Sequence, residues 1–353
     1  MTPSHATALN LLHTASAQPA AVRLPTPSEL QQRLPLSASL RQRIRNQRQS
    51  IADILQGRDP RLLVVVGPCS IHDPLAAMDY AQRLATLADE LSDTLLLAMR
   101  VYTEKPRTTV GWKGLLYDPH LDGSAGMDEG LALSRRLMLQ VSELGLPVAT
   151  ELLQPLTVPY FADLLGWAAI GARTSESQVH REMVSGLEVP TGFKNGTDGG
   201  VQIALDAMRS AAHGHQYMGL DGQGRVALLQ ASGNRNTHLV LRGGSAGSNY
   251  DEASVAHALQ ALQQAGQGDG IMVDCSHANS GKDPQRQPLV LDEVVRQRLA
   301  GNLNLRAVMI ESHLCDGQQS LGGPLEYGVS VTDGCLGWSK TEAMLRRVAA
   351  QLA

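Results

Sequence analysis

The stretch Leu62-Leu63-Val64-Val65-Val66-Gly67-Pro68-Cys69-Ser70-Ile71-His72-Asp73-Pro74 decides the fold. A short aliphatic run stops at a Gly-Pro pair and gives way to a helix that Asp73 caps, with Pro74 in its first turn. The same change from strand to helix recurs along the chain. Apolar runs at 62–66, 95–100, 147–151, 168–172, 191–194, 238–242, 271–274 and 306–311 predict strands. Helical spacing predicts helices over 73–91, 128–144, 158–165, 176–185, 201–212, 252–264, 289–299 and 340–352. Most of the runs are joined by helices rather than hairpin turns, so the strands are parallel. Eight such units in about 290 residues predict an α/β fold, a (β/α)8 TIM barrel; a doubly wound open sheet is the alternative.

A length of 353 residues allows about two domains. The barrel accounts for 61–353, leaving 1–60 as an N-terminal arm and helix for oligomer or regulatory contacts. Residues 1–35, rich in Ala, Ser, Thr, Pro and Gln, read as an extended arm. A helix follows, capped by Ser39, with Leu40, Ile44, Ile51, Ile54 and Leu55 at helical spacings and Gly57 as its stop. Residues 214–232 form an inserted hairpin, its turn Asp221-Gly222-Gln223-Gly224 lying between strands 217–220 and 225–229.

Lys plus Arg total 30 against 34 Asp plus Glu, a formal charge of -4 that offers no basic field to a nucleic acid. The strongest apolar stretch, 62–71, is far shorter than the roughly 20 residues of a membrane helix, so neither membrane nor nucleic acid is an expected partner. The first 22 residues lack Lys and Arg and make a poor signal peptide, which points to the cytoplasm. Four cysteines without C-x-x-C spacing are expected to be free thiols.

Ionisable groups stand at the end of strand after strand: Cys69, Arg100, Glu151, Arg173, Lys194, Arg242, His277 and Glu311. One charged strand end is ordinarily just solvated, but in a parallel barrel eight of them converge on one face. Arg100, Lys105, Arg107, Arg173, Lys194 and Arg242 make a local positive field suited to phosphate and carboxylate, part of it offset by ion pairs with Glu104, Glu151 and Glu176. Cys69, His277, Glu311 and Asp333 offer sulfur, nitrogen and oxygen donors to a divalent transition metal, with Cys275, Cys315 and His313 as nearby competitors. The loops 104–114 and 193–200 mix cations, hydroxyls and glycines but match neither a Walker loop nor a dinucleotide fingerprint. His72, His180, His213, His238 and His257 lack supporting partners in the pattern and read as structural.

From about residue 40 to the end, the chain resembles the type I 3-deoxy-D-arabino-heptulosonate 7-phosphate (DAHP) synthases. The resemblance rests on Gly67-Pro68-Cys69-Ser70, Lys105-Pro106-Arg107-Thr108-Thr109, Gly171-Ala172-Arg173-Thr174-Ser175-Glu176, Gly192-Phe193-Lys194-Asn195-Gly196-Thr197-Asp198-Gly199, Leu241-Arg242-Gly243-Gly244, Asp274-Cys275-Ser276-His277-Ala278-Asn279 and Ser330-Val331-Thr332-Asp333. It implies condensation of phosphoenolpyruvate with erythrose 4-phosphate. On that pattern Arg100, Lys105, Glu151, Arg173, Lys194 and Arg242 surround phosphoenolpyruvate, and Arg107 and Thr108 hold the sugar phosphate. Cys69, His277, Glu311 and Asp333 match the family's ligands for a divalent metal (Mn2+, Fe2+ or Co2+), and Lys105 is the expected proton donor. Octulosonate-phosphate synthase, which uses arabinose 5-phosphate, is the alternative enzyme; a catalytically idle amino-acid sensor would not need all these groups. The family is commonly inhibited by an aromatic amino acid, and Gly219 in the hairpin resembles the tyrosine-sensitive members, whereas Gln154-Pro155-Leu156-Thr157-Val158-Pro159 departs from the pattern where relatives often carry an Asp. A homodimer or homotetramer is the expected assembly.

Overall fold

Between α1 (Pro27–Arg33), α2 (Ala38–Leu55) and the C-terminus, strands and helices alternate as β1 (Leu62–Gly67), α3 (Pro74–Glu90), β2 (Leu95–Arg100), α4 (Met127–Glu143), β3 (Val148–Glu151), α5 (Val158–Phe161) and β4 (Leu165–Ile170). They continue as α6 (Gln178–Ser185), β5 (Thr191–Lys194), α7 (Gln202–Ala211), β6 (Gln216–Leu220), β7 (Val226–Gln230), β8 (Thr237–Leu241), α8 (Glu252–Gln264) and β9 (Ile271–Asp274). Helix α9 (Gln287–Leu299), β10 (Leu305–His313), β11 (Leu336–Gly337) and α10 (Trp338–Leu352) end the chain. The computed structural model describes residues 21–107, 109–124 and 126–353.

Strand β1 settles the choice between barrel and open sheet, because it pairs in parallel on both sides: Val66 lies opposite Met99 of β2 and opposite Ile310 of β10. The order β1-β2-β3-β4-β5-β8-β9-β10 therefore closes into an eight-stranded parallel barrel. All six β1 residues are buried, since one face looks into the barrel and the other toward the helices. Leu63 and Val65 join Ala98, Trp167, Met272 and Met309 in an inner cluster that Ile51, Ile54 and Leu55 of α2 plug. The N-terminal end is thus packed shut, and the open end is the one where the strands finish.

Four readings of local structure need correction. The segment read as arm holds α1, where Thr26 and Glu29 form a reciprocal capping box and Pro27 stands in the first turn. Ser37 rather than Ser39 caps α2, its hydroxyl accepting from the Leu40 amide at 3.2 Å. The helix expected over 158–165 is only a 3-10 turn (Pro155–Thr157) followed by α5, because the chain must already be extended at Leu165. Strand β4 consequently starts earlier than 168, placing Trp167 in the barrel and leaving Gly166 where a Cβ would come within 2.9 Å of Pro147.

The hairpin β6–β7 is a separate antiparallel pair. Its turn touches α1, where the Ser28 amide donates to the Gly222 carbonyl at 2.9 Å. Helix α1 in turn reaches α5 through Gln31, whose side-chain amide donates to the Pro159 carbonyl at 3.1 Å. Among the described residues no helix is long and apolar enough to cross a membrane.

Candidate active site

A cavity of about 590 Å³ opens at the ends of the barrel strands. Its walls include Arg100, Lys105, Arg107, Glu151, Arg173, Lys194, Arg242, His277, Glu311 and Asp333, ten residues from strand ends and the loops that follow them. Cys69 is fully buried beneath it. Thr108 lies outside the described residues. Gly219 stands on β6, away from the cavity; a Cβ there would approach Leu229 Cδ1 to 2.7 Å.

The floor is built on Arg100, the last residue of β2, which is 1% exposed. Its Nη2 faces Glu311 Oε1 at 3.1 Å, its Nε donates to the Pro68 carbonyl, and its guanidinium stacks over the Tyr102 ring at 3.9 Å. Nη1 is buried and has no partner among the described residues. Lys194, at the end of β5, is held between Glu151 at 3.6 Å and Asp274 at 3.3 Å. Lys282 adds a cation to the wall that the sequence reading did not include.

The donor atoms of Cys69, Glu311 and Asp333 all lie within 4.8 Å of one another. Lys105 places its ammonium among them, 2.7 Å from Cys69 Sγ and 3.3 Å from Asp333 Oδ2. Burial disfavours that charge, but Cys69, Glu311 and Asp333 outweigh it and raise the lysine above its ordinary range. Burial, with Glu311 adding to it, pushes the Cys69 thiol up to about 12. Asp333 is opposed by burial yet drawn down to about 2 by Lys105 and His277.

His277 is not part of that tight trio. Its backbone is left-handed, φ 54°, and its Nδ1 lies 2.9 Å from Asp274 and 2.7 Å from the Ser276 hydroxyl. Nδ1 is therefore occupied by the Ser276 hydroxyl, which in turn donates to Asp274 Oδ1, with the Asp274 carboxylate alongside; a ring nitrogen held in this way leaves the other to coordinate. A trio that already gathers around a cation, with an oriented histidine in the same wall, fits a divalent metal. The competing candidates lie elsewhere: Cys275 is buried in the barrel cluster, Cys315 is exposed, and His313 packs behind the site against His72 and Tyr80.

Asp274 is the main residue that sequence reasoning missed. It ends β9, is fully buried, and joins Lys194 to His277. Gln287 was missed too: its amide accepts from the Glu311 N–H at 2.8 Å and donates to the Glu311 carbonyl at 2.9 Å. Glu104 corrects the expected ion pairing. Instead of meeting a cation, it is hydrogen-bonded to the Tyr117 and Thr157 hydroxyls, both at 3.0 Å.

Burial lifts the Glu104 carboxyl to about 7 against those two hydroxyls. A carboxyl whose folded-state pKa is raised binds its proton more tightly when folded, so it stabilises the fold at low pH. That contribution is complete below its ordinary 4.5 and is lost as pH rises through about 7. Glu104→Gln, which mimics the protonated form, is expected to leave Tm near wild type at pH 5 and to exceed it at pH 8. Thermal melts across that range check this, and parallel Tm curves for the two proteins would remove the assignment.

The likenesses to known proteins bear on this geometry. The Tyr-sensitive phospho-2-dehydro-3-deoxyheptonate aldolase of Escherichia coli (strain K12) is 52% identical over 344 residues, covering 97% of this chain and 95% of the relative. The Phe-sensitive enzyme of the same organism is 48% identical, covering 92% of this chain and 93% of the relative. The solved phospho-2-dehydro-3-deoxyheptonate aldolase of Francisella tularensis SCHU S4 superposes with a TM-score of 0.92 at 44% identity, covering 95% of this chain and 98% of that one. The profile of the DAHP synthetase I family matches residues 36–346, and with a closed barrel whose strand ends gather cations around a donor trio, the chain belongs to that family.

Proposed function

We infer that this enzyme, a 3-deoxy-7-phosphoheptulonate synthase, condenses phosphoenolpyruvate with erythrose 4-phosphate to give DAHP and inorganic phosphate, the first step of the shikimate pathway. The observation that carries the reading is the density of buried cations at one end of an acidic protein: Arg100, Lys105 and Lys194 are each less than a tenth exposed at the side chain. Glu311, Asp333, Glu151 and Asp274 offset part of that charge, but the cavity wall holds seven Lys or Arg against three Asp or Glu, an excess that suits an anion. Phosphoenolpyruvate, with its carboxylate and its phosphate, is such an anion. Arg100, Lys105, Glu151, Arg173, Lys194 and Arg242 are assigned to it, and Arg107 with Thr108 to the phosphate of the sugar.

Arginine supplies the planar forks that match carboxylate and phosphate oxygens, while each lysine supplies a point charge and a transferable proton. C3 of phosphoenolpyruvate attacks the aldehyde carbon, and a C–C bond forms as the carbonyl oxygen takes up negative charge. Lys105 gives that oxygen a proton. A lysine ammonium is protonated at pH 7, and an alkoxide is basic enough to take the proton from it. Water adds at C2, now an oxocarbenium centre, and releases a proton; the C2–O bond to phosphate then breaks with its electron pair leaving on inorganic phosphate, and the new C2 hydroxyl gives up its proton to become the ketone of DAHP. A divalent metal (Mn2+, Fe2+ or Co2+), held by Cys69, His277, Glu311 and Asp333, supplies Lewis-acid polarisation of the aldehyde when bound.

The tyrosine reading follows from Gly219 and from the relative named Tyr-sensitive. The hairpin that carries Gly219 leaves Met218, Val226 and Leu228 exposed on one face, which suits burial in a homodimer or homotetramer together with the 1–60 segment. A cytoplasmic location completes the reading.

Steady-state loss of phosphoenolpyruvate tests the function. Turnover is expected with erythrose 4-phosphate and not with arabinose 5-phosphate. It should disappear with a chelator, return with Mn2+, and fall with tyrosine more than with phenylalanine or tryptophan. No turnover with erythrose 4-phosphate in the presence of metal overturns the reading.

A further inference from the structure

Three side-chain amides, two buried and one half-buried, lie behind the cavity and outside its lining. Asn195 follows Lys194 at the end of β5, Asn249 sits in the loop after β8, and Asn279 follows the β9 end that carries Asp274 and His277. Asn195 and Asn279 are 0% and 2% exposed. Amides so deeply buried are costly unless every donor and acceptor is matched, and here they are matched to backbone and to one another.

Asn195 Oδ1 accepts from the Arg242 amide at 2.7 Å and from Asn249 Nδ2 at 3.2 Å. Its Nδ2 donates to the carbonyls of Gly196 at 2.8 Å and Gly243 at 3.0 Å. Asn249 Oδ1 accepts from the Gly243 amide at 2.7 Å, and the Asn249 amide donates to Asn279 Oδ1 at 2.9 Å. Asn279 Nδ2 donates to the carbonyls of Leu241 at 3.1 Å and Asp274 at 2.9 Å. The backbone on both sides of Arg242 is therefore gripped by side chains rooted in the two flanking strand ends. Gly243 makes the corner possible: its φ is +70°, and a Cβ there would come within 2.8 Å of Ala278.

We propose that Asn195, Asn249 and Asn279 are positioning residues that hold Arg242 at a fixed place relative to Lys194 and His277, setting the geometry of the phosphoenolpyruvate site. This rests on the assignment of phosphoenolpyruvate to the cavity. Neighbouring barrel strands are tied by ladder hydrogen bonds only up to their ends; beyond Leu241 the amide network takes over the registration. A cation displaced by about 1 Å loses its bidentate fit to a phosphate, and such a loss appears in affinity for that substrate before it appears in folding.

Phosphoenolpyruvate binding by titration calorimetry, with KM for both substrates and Tm alongside, tests this in the full chain. Asn249→Ala, at a half-buried loop position, is the variant most certain to fold; Asn195→Ala is the stronger one. Each is expected to weaken phosphoenolpyruvate binding about tenfold or more, with KM for erythrose 4-phosphate changed less than about twofold. In an Arg242→Ala background the same substitutions should change phosphoenolpyruvate affinity less than about twofold, because the group they act through is gone. Equal losses in both backgrounds, or binding by Asn249→Ala within twofold of wild type, overturn the proposal. A wild-type protein that binds no phosphoenolpyruvate removes the substrate assignment itself, and the proposal with it.

Discussion

Lys105→Met is expected to lower kcat about 10³-fold while leaving phosphoenolpyruvate bound within about tenfold of wild type, the scale of losing one general acid. Lys105 makes two separable contributions. Its charge offsets Asp333 and Glu311 around the Cys69 thiol, and in the proposed mechanism its proton goes to the oxygen formed when the new C–C bond closes. Arg100, Lys194 and Arg242 remain in the cavity of the variant, so on the proposed assignment the phosphoenolpyruvate anion keeps most of its partners. Methionine fills the same length without charge or proton, which keeps the packing change small. Rapid-quench measurement of a single turnover, paired with equilibrium binding of phosphoenolpyruvate, separates the two contributions. A single-turnover rate within tenfold of wild type would assign the proton donor to another group. A loss confined to binding would make Lys105 an anion ligand only.

The barrel was legible because its signal is repeated. Eight apolar runs, each ended by Gly-Pro or an ionisable residue, leave few other architectures, and closure through β1 and β10 needed no further local signal. The helix bounds fared less well where tertiary demands overrode periodicity. Leu164 and Leu165 continue a helical pattern from Val158, but Leu165 must pair with Val148, so the helix ends at Phe161. Helix α1 was legible in principle, because Thr26, Pro27 and Glu29 make a complete N-terminal signal; composition alone hid it. Strand-end cations could be read singly, whereas their partners could not. Asp274 meets Lys194, 80 positions earlier, and Gln287 meets the Glu311 backbone across a helix and a strand. Only the fold supplies such pairings. Glu104 shows the opposite error: adjacent to Lys105 and inside a cationic loop, it suggested an ion pair, yet its side chain turns toward Tyr117 and Thr157.

Asp274→Asn is expected to cost about 3–5 kcal/mol of stability at pH 7, the range for removing one partner of a buried ion pair. Asp274 is fully buried between Lys194 and His277, with the Ser276 amide at 3.0 Å and hydroxyl at 2.7 Å on its other oxygen. Burial alone would raise its pKa, but the His277 imidazole and the Lys194 ammonium reverse that and hold the carboxylate well below its usual range. Asparagine keeps the size and the contact to the Ser276 amide. It removes the charge, leaving the Lys194 ammonium with Glu151 at 3.6 Å, a contact too long for a strong hydrogen bond. It also replaces the carboxylate beside His277 Nδ1 and behind the Ser276 hydroxyl with a neutral group, so the ring loses the charge that supports its orientation and its basicity as a ligand. Two measurable losses should therefore appear together: a lower urea midpoint without change in m, and weaker Mn2+ binding by equilibrium dialysis. Asp333→Asn, at a side chain half exposed in the cavity wall, should weaken Mn2+ binding with far less effect on the urea midpoint. The contrast decides what Asp274 does. If Asp274→Asn behaves like Asp333→Asn, with metal affinity lost and stability kept, the buried carboxylate orients His277 and contributes little to the fold. If it loses stability alone, the tie to Lys194 is its only role.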